Sequence, residues 1–349
     1  MRPSRPDRRT APTDWTRVVL IATIAMLGFG VADLLLPART DWFGTSRVVA
    51  PFLALLFLPL LVLAAVVRGR TGRWLAVIAV VGLALGAARF LPSLPSGPVA
   101  SAPGTTSVDM ATWNVYLGTV PPDRVSEALL ARAPAIIALE ELTTSAAAAL
   151  SADPAIRAAY PHRVLYPADD WSGMGLLSSW PLVGSPDADT LPRLIDASVA
   201  IPGAARPLAV IAAHAPPPIL RPSLFGPAYD PGSRDATLGR VRARIDAHVA
   251  AGDPVVLLGD LNLTDRELAY GELVRGLTDT YHAAGTGFGT TWRPGVADAP
   301  LLPFGLLRID MAITGPGVSP LHSEPDCTPR ASDHCILDVT VSVPAAVGD

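Results

Sequence analysis

Val255-Val256-Leu257-Leu258-Gly259-Asp260-Leu261-Asn262 reads as a buried strand that runs directly into polar chemistry. A fully apolar run leaves no polar face, the pattern of a strand covered on both sides. Gly259 permits close approach of backbone or ligand at the strand's end. Asp260 and Asn262 flank Leu261, so on an extended chain their side chains share one face. A carboxylate and an amide projecting together can orient a water nucleophile and hold a phosphoryl oxygen. The alternative reading is an Asx-rich turn.

Four further polar signatures stand in the same part of the chain: Thr112-Trp113-Asn114, Leu139-Glu140-Glu141-Leu142, His214 and Ser332-Asp333-His334. Most close an apolar or β-branched run. Acids, amides and imidazoles are costly to hold in such places unless they converge on something. A divalent metal and a phosphate ester would use this set. The pattern predicts strands over 108–113, 135–139, 175–178, 208–213, 255–258, 309–313 and 336–343. It predicts a helix over 123–132, capped by Asp123, with Val125, Leu129 and Leu130 on one face. A second helix is predicted over 235–250, where Leu238, Val241 and Ile245 recur at helical spacing. Strands outnumber helices and the two are mixed along the chain, which fits two packed sheets with helices outside. A doubly wound parallel sheet fits less well, because no Gly-rich phosphate loop follows the first strand.

Asn114 and Glu141 follow consecutive strands and offer hard oxygen ligands of the kind Mg²⁺ prefers. Glu140 and Glu141 are adjacent, so on an extended chain they point to opposite sides and only one faces the site. Asp310 can orient the His334 imidazole and raise its basicity, which suits a general base for water. His214 ends an apolar strand. Arg234 and Arg240 read as a solvated helix face, with phosphate contact as the alternative.

Composition limits what surrounds this set. The net charge of -4 gives no global basic field to gather nucleic acid, and every fixed cation among the 27 basic residues is Arg. Cys327 and Cys335 form no metal-ligand pattern. They are either a short-loop disulfide, if this part lies outside the cell, or two partly buried thiols.

The hydrophobic content is 50% and the mean hydropathy +0.38, and the excess is concentrated before residue 92. Apolar stretches at 18–36, 48–67 and 74–91 each approach the ~20 residues that span a bilayer core. A cleaved signal peptide is the alternative for the first stretch, but two more apolar stretches follow it, so three membrane helices over 1–91 are expected, acting as an anchor through the lipid bilayer. Arg2, Arg5, Arg8, Arg9 and Arg17 precede the first stretch, and Arg68, Arg70 and Arg73 fill the second loop. The first loop holds only Arg39 and Arg47, with Asp41 between them. The positive-inside rule then puts the N-terminus in the cytoplasm and everything beyond the third helix outside. A Pro/Ser/Gly linker over 92–106 leads to a domain over 107–345.

The stretch from 108 to 343 resembles the endonuclease/exonuclease/phosphatase superfamily, which includes DNase I-like nucleases, bacterial sphingomyelinases and inositol polyphosphate 5-phosphatases. The resemblance rests on Thr112-Trp113-Asn114, the run from Ile136 to Leu142, the run from Gly173 to Leu182, His214, Gly259-Asp260-Leu261-Asn262, Thr291-Trp292, Arg308-Ile309-Asp310 and Ser332-Asp333-His334. It implies a four-layer α/β sandwich of the DNase I-like kind, which the three expected membrane helices precede. It implies an enzyme using Mg²⁺ or Mn²⁺ to hydrolyse a phosphate ester by attack of water, and the apolar stretches place that enzyme at the cell membrane. By that resemblance Asn114 and Glu141 bind metal, assisted by Asp333, and Glu140 occupies a place where the family carries a Gln-like residue. Asp260 and Asn262 position water and the phosphoryl group. His334, paired with Asp310, is the catalytic base or the imidazole that stabilises the phosphate, and His214 manages charge on the phosphate or the leaving oxygen. The implied activity is that of a phosphodiesterase or nuclease on nucleic acid, or else of a phosphatase or phospholipase-like enzyme on a phospholipid head group or inositol phosphate, with a non-catalytic binding domain as the remaining alternative and no protein partner expected. Cys335 and Ile336 depart from the small or basic residue and Pro that many members carry after Ser-Asp-His.

Overall fold

A computed structural model describes residues 14–35, 47–48, 52, 54–67, 69–90, 94–186, 194–223, 226–296, 299–300, 305–328 and 332–346. The chain divides into two compact units, Met1–Pro92 with Ser223–Ala228, and Ser93–Pro222 with Tyr229–Asp349.

The first unit contains helices α1 (Asp14–Leu35), α2 (Leu58–Val66) and α3 (Arg70–Phe90). Phe57, Ile78 and Ala79 are buried, with Met26, Leu60 and Leu83 packed around them. The Phe57 ring sits where a Cβ on Gly82 would fall, at 2.4 Å, so small residues set the approach of these helices. Ile21, Val62, Val66, Val77 and Val80 remain exposed. Among the described residues one helix, α3, is long and apolar enough to cross a membrane, over Arg70–Ala87. The orienting residues at 2, 5, 8, 9, 39, 41 and 68 lie outside the described residues.

The second unit holds two six-stranded sheets. Its strands are β1 (Thr105–Asn114), β2 (Ile136–Glu140), β3 (His162–Tyr166), β4 (Met174–Ser178), β5 (Leu182–Pro186), β6 (Leu194–Val199) and β7 (Leu208–Ala213). Two short strands, β8 (Ile219–Ser223) and β9 (Gly226–Asp230), come next in the chain, with Ser223–Ala228 counted in the first unit, then β10 (Val255–Asp260) and β11 (Thr278–Asp279). Last are β12 (Gly295–Val296), β13 (Ala299–Pro300), β14 (Asp310–Thr314), β15 (Ser319–Asp326) and β16 (Ile336–Pro344). One sheet runs β15-β16-β1-β2-β4-β3 and the other β11-β14-β10-β7-β6-β5. Among the described residues, only β1–β2 and β7–β10 pair in parallel within them.

Period-two alternation assigns each strand two duties. Val108, Met110, Ile136 and Ala138 of one sheet pack against Leu208, Val210, Val256 and Leu258 of the other, forming the core between them. The opposite faces carry the helices. Trp113, Ile137 and Leu139 meet Val125, Leu129 and Leu150 of α4 (Pro122–Arg132) and α5 (Thr144–Ala152), with α6 (Pro154–Ala159) beside them. Ile211, Val255 and Leu257 meet Leu238, Val241 and Ile245 of α7 (Gly232–Ala251), near α8 (Leu268–Leu273). A short α9 (Thr280–Ala284) follows β11. The layers are helix, sheet, sheet, helix, as expected from the alternation.

Several local expectations differ from the structure. Asp123 does not cap α4: the N-cap is Pro121, without a side-chain bond, and Asp123 lies in the first turn, where its charge suits the helix dipole. Strands β3, β5, β6 and β15 are not in the sequence reading. β15 contains Pro320 and Pro325, which argue against a strand in general but are tolerated at a sheet edge, where β15 lies. The stretch ahead of β1 is tied down. Ser96 donates from its backbone N and Oγ to His282 O at 3.1 and 3.0 Å, and Val99 N donates to Leu321 O at 2.8 Å.

Candidate active site

The same alternation that builds the inter-sheet core delivers the polar residues. Asn114 continues the face of Val108 and Met110, and Glu140 that of Ile136 and Ala138. His214 continues Val210 and Ala212; Asp260 continues Val256 and Leu258. Register then sets neighbours: Asn114 pairs with Glu140, and Asp260 lies directly opposite Asp310. His334 stands two residues before β16, which is antiparallel to β1, so it reaches the same end. Gly259 makes the β7–β10 approach feasible. Its φ is 147°, and an added Cβ would lie 1.9 Å from the Ala213 carbonyl oxygen.

The distances define one connected cluster. Asn114 Nδ2 donates to Glu141 Oε1 at 3.0 Å and to Asp260 Oδ2 at 3.1 Å. His214 Nε2 is 3.6 Å from Asp260 Oδ2 and 3.9 Å from Glu141 Oε1. His334 Nδ1 is 2.9 Å from Asp310 Oδ2, and its Nε2 is 3.7 Å from Asp260 Oδ2. Asp333 Oδ2 accepts from Trp292 Nε1 at 3.2 Å. Potential ligand atoms of Asp260, Asp310 and His334 all lie within 4.8 Å of one another.

At two positions the backbone differs from the extended chain expected. Asp260 and Asn262 do not share the face of an extended segment. Asn262 has φ 47°, and its N–H donates to Asp260 Oδ1 at 2.9 Å, so an Asx turn joins them. Its side-chain amide donates to Ala215 O at 3.0 Å. Likewise Glu140 and Glu141 do not part to opposite sides. Glu140 faces inward and accepts from Thr112 Oγ1 at 2.7 Å, while Glu141, at φ 56°, leaves the strand and turns back to Asn114. The extended backbone ends at Glu140, so the alternation of a strand does not reach Glu141.

The cluster is rich in buried acid. Burial pushes the Asp260 carboxyl up, His334 offsets part of this, and Asp310 adds to it. Burial also raises Glu140 well above the usual range, and raises Glu141 and Asp333. Burial works against charge on His334, but Asp310 and Asp260 outweigh it and push the imidazole up to about 10. Glu140 Oε2, Glu141 Oε2 and Asp333 Oδ1 are buried without a hydrogen-bond partner. Orphaned carboxylate oxygens beside acids that resist ionisation are what a divalent cation would satisfy, so these residues fit one.

Supporting residues were harder to foresee. Arg234 is not on a solvated face: it is 1% exposed, and Nη1 contacts Glu267 Oε2 at 2.7 Å, Tyr229 Oη at 2.7 Å and Asn262 O at 3.0 Å. The signal was present, since residues 234, 238, 241 and 245 recur at helical spacing on the buried face of α7. Arg240 is half-buried and reaches Thr237 Oγ1 at 3.2 Å. Thr291 Oγ1 accepts from Asp310 N at 3.1 Å, and Ser332 Oγ donates to Asn114 O at 2.7 Å. Cys327 and Cys335 form a disulfide.

A two-sheet α/β sandwich with acids, an amide and imidazoles gathered at one end of its inter-sheet face defines a phosphoester hydrolase scaffold. The chain belongs to the Endonuclease/Exonuclease/phosphatase family, which matches residues 111–334. Members of that family hydrolyse phosphoesters and use divalent metals. No curated protein matches the chain. Among solved structures it is similar to truncated Caenorhabditis elegans TDP2, at 19% identity and TM-score 0.50 over 67% of this chain and 97% of that one. D. rerio TDP2 complexed with single strand DNA product matches at 19% identity and TM-score 0.51, over 68% and 99%. The endonuclease/exonuclease/phosphatase from Bacteroides vulgatus matches at 18% identity and TM-score 0.50, over 68% and 99%. At these identities the likeness shows the fold.

Proposed function

We propose that this protein is a membrane-anchored phosphodiesterase that uses Mg²⁺ or Mn²⁺ and attacks its substrate in line with water. The observation that carries the reading is the buried convergence of Asn114, Glu141, His214, Asp260 and the Asp310–His334 pair. Asn114, Glu141 and Asp333 are the residues that would hold the cation. When bound, it supplies positive charge to the phosphoryl oxygens. Asp260, locked by the Asn262 N–H, orients the water and takes up its proton. Asn262 Nδ2 donates to Ala215 O at 3.0 Å and to Asp260 Oδ2 at 3.4 Å, and giving up the longer bond would turn that hydrogen to a phosphoryl oxygen. Asp310 holds His334 at Nδ1, so that Nε2 faces the reacting phosphate and stabilises its charge. His214, whose Nε2 is 3.6 Å from Asp260 Oδ2, serves the leaving oxygen.

We place this unit outside the cell, behind an anchor of three helices with the N-terminus and second loop in the cytoplasm. The exposed apolar faces of the helical unit and the Cys327–Cys335 disulfide support that reading. The substrate is a phosphodiester; a TDP2 relative was solved with single strand DNA product. Exposed Trp171 and Phe288, on loops next to Met174 and Thr291, favour a second reading in which a lipid head group is the substrate.

The test is hydrolysis by the full chain in detergent with Mg²⁺ or Mn²⁺. Plasmid DNA, RNA, sphingomyelin, inositol phosphates and bis(p-nitrophenyl) phosphate form the panel. Turnover should vanish in Asp260→Ala and His334→Ala, and a wild-type protein inert on every substrate would sink the proposal. Protease added to intact cells should remove the sandwich unit; protection would reverse the topology.

A further inference from the structure

We propose that the Cys327–Cys335 disulfide and the Arg293 side chain form a clamp that positions Asp333 and His334, so that full hydrolysis requires the disulfide. The inference rests on the hydrolase reading above. β15 and β16 pair in antiparallel register to Pro325–Leu337 and Asp326–Ile336. Continued by one step, that register makes Cys327 and Cys335 the next pair, and their Cα atoms are 4.3 Å apart. The disulfide therefore closes the base of the loop that carries Ser332, Asp333 and His334.

Arg293 grips both ends of the same loop. It is fully buried, and its Nη1 donates to Cys327 O at 3.1 Å while Nη2 donates to Ser332 O at 2.7 Å. Its backbone N donates to Asp333 O at 2.7 Å, and Cys335 N donates to Thr291 O at 2.8 Å. A planar guanidinium can bridge two carbonyls only while they stay at a fixed separation. The covalent link sets that separation from one side. Beyond it, Arg132 pairs with Asp326 and Asp338 and secures the ladder beneath. Opening the disulfide thus frees the loop while the sheet stays intact.

The experiment uses the full chain in detergent and a phosphine reductant. Phosphine and water convert the disulfide to two thiols, the phosphine taking the oxygen as phosphine oxide. On bis(p-nitrophenyl) phosphate, kcat should fall by about tenfold or more, the usual loss when a supporting residue is removed. KM should hold, and reoxidation with oxidised glutathione should restore kcat. The double variant Cys327→Ser/Cys335→Ser should show the same loss without recovery. Arg293→Lys should lose kcat with its disulfide intact, because one ammonium cannot bridge both carbonyls. Hydrogen exchange gives a readout independent of turnover: the His334 and Cys335 amides should lose protection on reduction while those of Leu257 and Leu258 keep it. Unchanged kcat with both thiols titratable would overturn the clamp, as would loss of protection shared equally by β10. A wild-type protein inert on every substrate would instead reject the hydrolase reading, and exchange would still decide the clamp.

Discussion

Replacing Arg234 by Met separates a buried strut from a surface arginine. A solvated helix-face arginine paired with a neighbour contributes about 0–1 kcal/mol. Arg234 is instead 1% exposed, and Glu267, at 2.7 Å, is itself almost fully buried. Removing one partner of a buried ion pair generally destabilises by about 3–5 kcal/mol, because the remaining charge stays out of water. Glu267 would not be wholly abandoned. Thr264 N and Oγ1 still donate to Oε1 at 2.9 and 3.2 Å, and Tyr229 Oη donates to Oε2 at 2.5 Å. Those donors put the expected loss at the lower end, about 3 kcal/mol. Urea unfolding of the full chain in detergent, followed by exchange of the β7 and β10 amides, measures it. The double variant Arg234→Met/Glu267→Leu should recover part of the loss, since no charge is then stranded. A single-variant loss below about 1 kcal/mol would refute the buried-strut reasoning.

Other outcomes follow from the same geometry. Gly259→Ala should destabilise the sandwich by about 3 kcal/mol or prevent its folding, because a Cβ meets the Ala213 carbonyl at 1.9 Å; near-wild-type urea stability would contradict this. Mn²⁺ should raise the thermal midpoint and Glu141→Ala should abolish the rise, with saturation near 100 Kd worth about 2.7 kcal/mol. An equal rise in the variant would remove Glu141 from the cation site. His248, at the end of α7, loses proton affinity to burial but gains more from hydrogen bonds to Asp253 and Asp196, so its folded pKa is raised. Its contribution, roughly 1 kcal/mol for a cation in a helix's last turn, is full below the unfolded value near 6.5 and is lost as pH rises through the folded value. His248→Gln should therefore lose more stability at about pH 5.5 than at about pH 9, and a pH-independent difference would reject the linkage.

Much of the sandwich is legible in local pattern. The apolar run from Val255 to Leu258 declares a strand covered on both sides, and Leu238, Val241 and Ile245 declare a helix lying on it. The prolines of β15 hide a strand, because their meaning depends on whether the strand is central or at an edge. Arg234 falls on the buried helical stripe of Leu238, Val241 and Ile245, but its partners there, Glu267 and Tyr229, are not revealed by that spacing.

The amino-acid order alone determines which side chains are available and on which face of each strand they stand. Alternation from Val108 to Asn114 and from Val256 to Asp260 carries the polar residues along the same face as the core. Tertiary structure decides what they meet. Register sets Asp260 against Asp310, and an αL residue brings Glu141 back to Asn114, a conformation residue type alone does not require. The pairing of β15 with β16 joins Cys327 to Cys335 across the loop that holds His334. Periodicity is a property of one segment, whereas register, burial and pairing are set by partners far along the chain, and these contacts turn a row of strand-end residues into a site.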